Sequence, residues 1–521
     1  MLSYFSFDFH SSYSEISFEK VYKLLHYNSF SSHPSNFIEF MAELIGTKHK
    51  LIEQTMIFPS STTKICLPLT FLDLPLAGPI YVRRQFFYRF PQSTNHFCQT
   101  TFPSLKQSLS LTLQHFFPLA GNLISPPTPN KPFILCTEKD SVPFTIVESS
   151  EDFNHLSANY KLKNIKDFNH LVPKLTHKTI HDDNDNDNDN EDNNTFVFPL
   201  LSLQASVFPN NGLCIAITYC HVMDDSCCSH FMKTWSLIHK KCESVDLKST
   251  PCFDRDILRD PKGLIENVFL RDYFEERKTW KNKLIGQTQT QTIEEHHEVV
   301  EDYFKATIVF GKEEIERMKK WALSQWNKND HEIIKPQFLS KFVVTCGFVW
   351  ANLVKTRYRN DNNDEKEEFF RFAGDCRDRL GYKIPEGYFG NCLTLCHATV
   401  KRKDMKGEDG FVKAVKVIER AISEMKNEPF KNVEEWRDTF KNMFEFGSVL
   451  LVTGSPKFNV YETDFGFGKP VKVEMVHSFK CMSIAESGDR DGGIEVGLVF
   501  KSGEFEYFCS VIEQGLEAFK S

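Results

Sequence analysis

Residues 213–219 read LCIAITY, a short and almost wholly apolar run, and the hydrophobic period changes just after it. Such a run predicts a buried strand. Beyond it Cys228, Phe231, Trp235 and Ile238 recur at helical spacing, which predicts a helix from about Ser226. The same kinds of pattern recur on both sides. A helix is predicted over 104–117, with Leu105, Leu109, Leu111 and Leu113 among polar residues and a break supplied by Pro118 and Gly121. Further helices are predicted over 312–326, 340–355, 410–425 and 506–519, and strands over 369–373, 391–400 and 494–500. Strands and helices interleaved in both halves indicate an α/β fold. Before Lys50 the chain is rich in Ser, Phe and His, and only 18–44 hints at helix.

Length changes this picture from one core to two. A chain of 521 residues exceeds what a single hydrophobic core organises, so two domains of about 200 residues are expected. The segment 249–265, STPCFDRDILRDPKGLI, carries two prolines and many charges and reads as a crossover. The expected division is an N-terminal extension over 1–48, poorly ordered, a first domain over 49–250, a crossover over 251–266 and a second domain over 267–521. The tract HDDNDNDNDNEDNNT, 181–195, cannot bury a core and reads as a disordered acidic loop. Its alternating acids fail as a calcium loop, because Asn188 stands where a glycine is required and Asn194 where a bidentate Glu belongs.

Charge and cysteine usage exclude several classes. The formal net charge is −8, and without the seven acids of that tract it would be −1. No basic patch dominates, so nucleic acid is not an expected partner. The 15 cysteines are scattered without a CxxC pair, a usage expected of reduced cytosolic thiols. No apolar stretch approaches the roughly 18 residues of a membrane span. The first twenty residues lack a basic n-region and a continuous apolar core. A cytoplasmic, monomeric, soluble protein that binds no metal and no resident cofactor is the expectation.

Two stretches carry candidate chemistry. In YCHVMDDSCC, 219–228, His221 ends the apolar run and Asp225 follows four residues on. A strand-to-helix corner is a good place to hold a reactive group, but the same pair would also serve simply to cap the corner. In YETDFGFGKP, 461–470, Asp464, Gly466 and Gly468 predict a tight turn between strand-like segments 458–461 and 471–475. The DFG triplet is not a kinase signature here, since the HRD loop and glycine-rich loop are missing. No GxSxG elbow occurs, so a serine acyl-enzyme has no support.

HxxxD in the middle and DFGxG near the end together resemble the plant BAHD family of acyl-CoA-dependent acyltransferases. LPLTFLDLPL at 67–76, QHFFPLAGNL at 114–123, CRDRL at 376–380 and YFGNC at 388–392 extend the resemblance over roughly 50–521. The last two are similar to motifs of the family's flavonoid- and phenolic-glycoside branch. The resemblance implies two chloramphenicol-acetyltransferase-like α/β domains with a solvent channel between them. It implies acyl-CoA as co-substrate, with malonyl-CoA the donor expected from YFGNC, and a sugar hydroxyl of a phenolic or flavonoid glycoside as acceptor. Hydroxycinnamoyl-CoA is the alternative donor, and a binding protein that kept the fold without turnover is the alternative from another class.

An alcohol is almost fully protonated at neutral pH and needs a general base as it attacks a thioester. Neutral imidazole suits that task, which falls to His221. Cys220 beside it would point away along the strand. Asp225 could orient the imidazole as in a triad; in the family it instead turns away to pair with an arginine, for which Arg377 is the match. Asp464 is the family's second signature acid, expected to hold its loop or the same arginine, although a catalytic label is often attached to it. Two positions depart from the family. Ser226 replaces the usual Gly after HxxxD, where it could cap the helix. Phe467 replaces the usual Trp of the second motif, and a phenyl ring cannot donate to an oxyanion as an indole can.

Overall fold

Two antiparallel strands, β1 (Tyr81–Arg89) and β2 (Gly212–Cys220), lie side by side in a six-stranded mixed sheet, with Tyr81 opposite Cys220 and Arg89 opposite Gly212. Every residue of β2 is buried, which is why its sequence is a continuous apolar run rather than an alternation. On one face Leu213, Ile215, Ile217 and Tyr219 pack under helices α1 (Phe102–His115) and α2 (Asp225–Lys241). On the other, Cys214 and Ala216 meet a smaller cluster of Phe87, Phe153, Phe168 and Phe208. The two helices are stapled where the Trp235 indole donates to Ser108 Oγ at 3.1 Å.

The structure is a computed structural model that describes residues 48–61, 63–180, 194–223, 225–241, 249–280, 284, 303–326 and 335–520. The expected N-terminal extension, its helical stretch 18–44 and nearly all of the acidic loop 181–195 lie outside the described residues. Among the described residues no helix is long and apolar enough to cross a membrane. Among the described residues, the 14 cysteines form no disulfide with one another.

The later half builds a seven-stranded mixed sheet in the order Leu393–Lys401, Glu367–Asp375, Ser448–Thr453, Cys481–Glu486, Ile494–Lys501, Tyr303–Phe310, Lys163–Asn164. Helices Lys312–Ser324, Lys341–Arg357, Gly410–Asn427 and Phe505–Ala518 contribute to its core. A third, five-stranded sheet joins Ile65–Pro68, Phe133–Cys136, Asn122–Ser125, Thr195–Pro199 and Lys178–Ile180. Within the described residues, and apart from 458–461, the helices and strands expected from the sequence are found within two residues of their anticipated ends.

The segment 458–461 is not the strand that its sequence suggested. It forms parts of two 3₁₀ turns, Pro456–Phe458 and Val460–Glu462, separated by Asn459 in the left-handed region at φ 47°. Pro456 sets the first turn and Ser455 Oγ caps it by accepting from the Lys457 N–H. The strand that follows, β3 (Lys472–Met475), therefore has no hairpin partner before it and pairs antiparallel with β1.

Two short strands thus join the sheet of the opposite half: β3 joins the first sheet and Lys163–Asn164 pairs with Tyr303–Phe310 in the second. Where they meet, buried charges collect. Glu474 of β3 lies 2.9 Å from Lys305 Nζ, 3.7 Å from Lys472 Nζ and 3.8 Å from Lys163 Nζ, all four residues being buried. Lys472 Nζ also contacts Glu495 at 2.6 Å. A buried carboxyl ringed by lysines titrates well below the ordinary range despite the opposing effect of burial.

Candidate active site

β2 ends at Cys220, and the chain turns at His221 under a set of main-chain bonds. The Cys220 N–H donates to Leu200 O at 2.9 Å and the His221 N–H to Ile80 O at 2.8 Å, just before β1 begins. The Met223 N–H closes the turn onto Cys220 O at 3.1 Å, and α2 starts at Asp225. The imidazole is half-buried, and its Nδ1 is buried with no hydrogen-bond partner among the described residues. Cys220 is fully buried with its Sγ 3.4 Å from Gly78 O, and burial pushes its thiol up to about 12. A thiol held protonated in that position is a poor nucleophile.

The side chain of Asp225 lies outside the described residues. Its expected partner does reach that corner: Arg377 Nη2 donates to Ser226 Oγ at 3.1 Å, in the first turn of α2. Arg377 is also tied to its own loop, with Nη1 3.3 Å from Asp375 Oδ1 and its N–H donating to the same oxygen at 3.0 Å.

Asp464 holds its own loop, and the cation it meets is not Arg377. Its Oδ1 accepts from the N–H groups of Gly466 and Gly468 at 2.8 and 3.0 Å. Its Oδ2 lies 2.5 Å from Lys240 Nζ, at the C-terminal end of α2. Partial burial pulls this carboxyl upward, but Lys240 and the two N–H donors outweigh it and hold it below its ordinary value. Gly466 and Gly468 have φ of 94° and 90° with open space where a Cβ would stand, so backbone conformation is what demands glycine there. Between them the Phe467 ring packs edge-on against Phe90 and Tyr88, with centroids 5.4 and 6.0 Å away, and lies 5.8 Å from the His239 ring. His239 is fourteen residues along α2 from Asp225, about 21 Å at 1.5 Å per residue. The two signature motifs therefore sit at opposite ends of one helix.

Three groups that the sequence reading did not single out stand around the His221 turn. Asp73, from LPLTFLDLPL, is fully buried, and Asn391, from YFGNC, is likewise fully buried. Asn391 Nδ2 donates to His221 O at 3.1 Å and to Val222 O at 2.9 Å. Arg255, from the stretch read as a crossover, donates to Phe389 O at 2.6 Å and lies 3.7 Å from Asp73 Oδ2. Both motifs were visible as family signatures, but nothing local to them indicates that they converge on the histidine.

Residues 48–514 match the family model described as Transferase family. The malonyl-coenzyme A:anthocyanin 3-O-glucoside-6''-O-malonyltransferase of Dahlia pinnata is 34% identical over 88% of this chain and 95% of its own length. The coumaroyl-CoA:anthocyanidin 3-O-glucoside-6''-O-coumaroyltransferase 1 of Arabidopsis thaliana is 32% identical over 90% of this chain and 98% of its own. Among solved structures, vinorine synthase superposes with a TM-score of 0.60 at 20% identity, covering 88% of this chain and 96% of that one. That likeness speaks for the fold, a mixed α/β architecture of two chloramphenicol-acetyltransferase-like domains, as the sequence led one to expect.

Proposed function

The chain belongs to the transferase (BAHD) family, and from that premise we propose that it transfers an acyl group from acyl-CoA to a sugar hydroxyl of a phenolic or flavonoid glycoside. His221 is the general base. The acceptor O–H loses its proton to the imidazole as its oxygen bonds to the thioester carbonyl carbon. The C–S bond then breaks, and the imidazolium returns the proton to the CoA thiolate, giving an ester and free CoA thiol. What supports this reading is the place of His221, half-buried at the end of a fully buried strand with its N–H bonded to Ile80 O. Arg377 and Asp225 act as a brace at the start of α2, and Asp464 as a loop anchor.

Malonyl-CoA is the proposed donor, as for the Dahlia relative; coumaroyl-CoA is the second reading, favoured by the Arabidopsis relative at nearly equal identity. The chain divides at the crossover 251–266, with the reaction in a channel between the two domains, and acts as a cytoplasmic monomer. The test is CoA thiol release with malonyl-CoA and coumaroyl-CoA against a panel of anthocyanin and phenolic glucosides, with products identified by mass. His221→Ala should lower turnover by about 10²–10⁴-fold with acyl-CoA binding close to wild type. Near-normal turnover of that variant would end the assignment of the base.

A further inference from the structure

A serine-protease-type triad holds its histidine through an acid at Nδ1, but here Nδ1 has no partner among the described residues. What is seen to hold this residue is the main chain that carries the ring. That main chain is gripped from outside. Asn391 Nδ2 has two hydrogens and two carbonyls in reach, those of His221 and Val222, with Asp73 Oδ1 a longer 3.4 Å away. Its Oδ1 is buried without a partner among the described residues, so the amide is placed for what it donates.

Asn391 is itself fixed. Its N–H donates to Asp73 Oδ1 at 2.8 Å, and Asp73 Oδ2 accepts from Thr70 N–H and Oγ1 at 2.9 and 2.7 Å. Arg255 Nη1 completes the lock with bonds to Phe389 O and Tyr388 Oη, the latter at 3.2 Å. Gly390 lets these parts close up: its φ is 155°, and a Cβ there would stand 2.4 Å from Arg255 Nη1 and 3.3 Å from Asp73 Oδ1.

We propose that Asn391, locked by Asp73 and Arg255, is a positioning residue that aims the His221 imidazole by clamping the His221–Val222 carbonyls. The inference rests on His221 being the base. A buried clamp of this kind acts on geometry: without the amide two carbonyls lose a donor, the turn relaxes, and a displacement of about 1 Å of a catalytic group costs about 10²-fold in rate.

The experiment compares Asn391→Ala with wild type, and again in a His221→Ala background, by kcat, KM for acyl-CoA and thermal melting. With Asn391 acting through His221, kcat falls by about 30- to 100-fold while KM for acyl-CoA stays within about twofold. In the His221→Ala background the same change costs less than about threefold more, because there is no longer an imidazole to aim. Equal losses in both backgrounds, or a kcat within about threefold of wild type, overturn the clamp. If His221→Ala itself turns over normally, the base assignment has failed, and this single variant separates that failure from failure of the clamp. Should Asn391→Ala not fold, Asn391→Ser, which keeps a shorter donor, is read by the same two comparisons.

Discussion

Phe467→Trp restores the residue usual in the family's second motif and asks whether the ring does chemistry or packing. For an indole to stabilise the oxyanion formed beside His221, its N–H must come within about 3 Å of that oxygen. The Phe467 ring instead lies against His239, about 21 Å along α2 from Asp225, and is boxed by Tyr88 and Phe90. Gly466 and Gly468 hold it in a turn anchored by Asp464, so no side-chain rotation spans that gap. The expected single-turnover rate at saturating acyl-CoA is therefore within about twofold of wild type. The larger ring must instead fit a cluster in which three aromatic neighbours stand at contact distance. Overfilling a packed site costs about 1–3 kcal/mol, and the lower end applies to a ring that is only half-buried. The second readout is accordingly a fall of a few degrees in apparent melting temperature. A rate increase of tenfold or more, about 1.4 kcal/mol off the barrier, would refute this reasoning and place the second motif within reach of the reacting carbonyl.

Two further outcomes follow from the charges. Burial, opposed by Glu474 and assisted by Lys472 and Lys305, lowers Lys163 from 10.5 to about 8. Below pH 8 the folded state carries the cost of charging it; between pH 8 and 10.5 the unfolded chain holds the extra proton, so stability rises with pH through that window. Lys163→Met, leaving Glu474 its contacts with Lys305 and Lys472, should gain on the order of 3 kcal/mol at pH 7 at 1.36 kcal/mol per pH unit. Melting curves at pH 7 and pH 10 check it: a variant less stable than wild type at pH 7, or with an undiminished rise, shows that the lysine is well paired. Asp464→Asn should lower the melting temperature and leave kcat within about threefold. Because this carboxyl is held below its ordinary value, its advantage exists above the unfolded carboxylate range and is lost as pH falls through the folded value, so the stability gap to wild type narrows on acidification. A collapse of kcat at unchanged melting temperature would move Asp464 from anchor to chemistry.

What the sequence made legible was whatever is written in local period or in a residue's own conformational needs. β2 could be read because burial on both faces leaves an unbroken apolar run, and α2 because one stripe of it packs on that strand. The turn at Gly466 and Gly468 could be read because only glycine takes φ near 90° without strain. Phe458 to Tyr461 misled because aromatic and β-branched residues favour strands on average, whereas Pro456 and Asn459 decide the backbone there. Of the two strands exchanged between the main sheets, β3 was legible as a strand over 471–475 but its pairing with β1 was not, and Lys163–Asn164, two residues long, is too short for a period to emerge.

The site was half legible for the same reason. His221 is announced by its own strand, but the amide that grips its carbonyl is 170 residues away, and the acid that holds that amide is 318 residues from it. Convergence over such separations depends on how whole sheets meet, and no spacing along the chain encodes it. Yet three residues of the two gripping segments each show a local oddity that packing alone does not require. Asp73 is a fully buried acid within a leucine-rich stretch, Gly390 is a glycine with no room for a Cβ, and Asn391 is a buried amide whose oxygen has no partner among the described residues. Burying an acid or an unpaired amide oxygen carries a desolvation cost that apolar residues of like size would avoid. That such a cost is carried at the turn below the histidine argues that the geometry of this turn is what those residues secure.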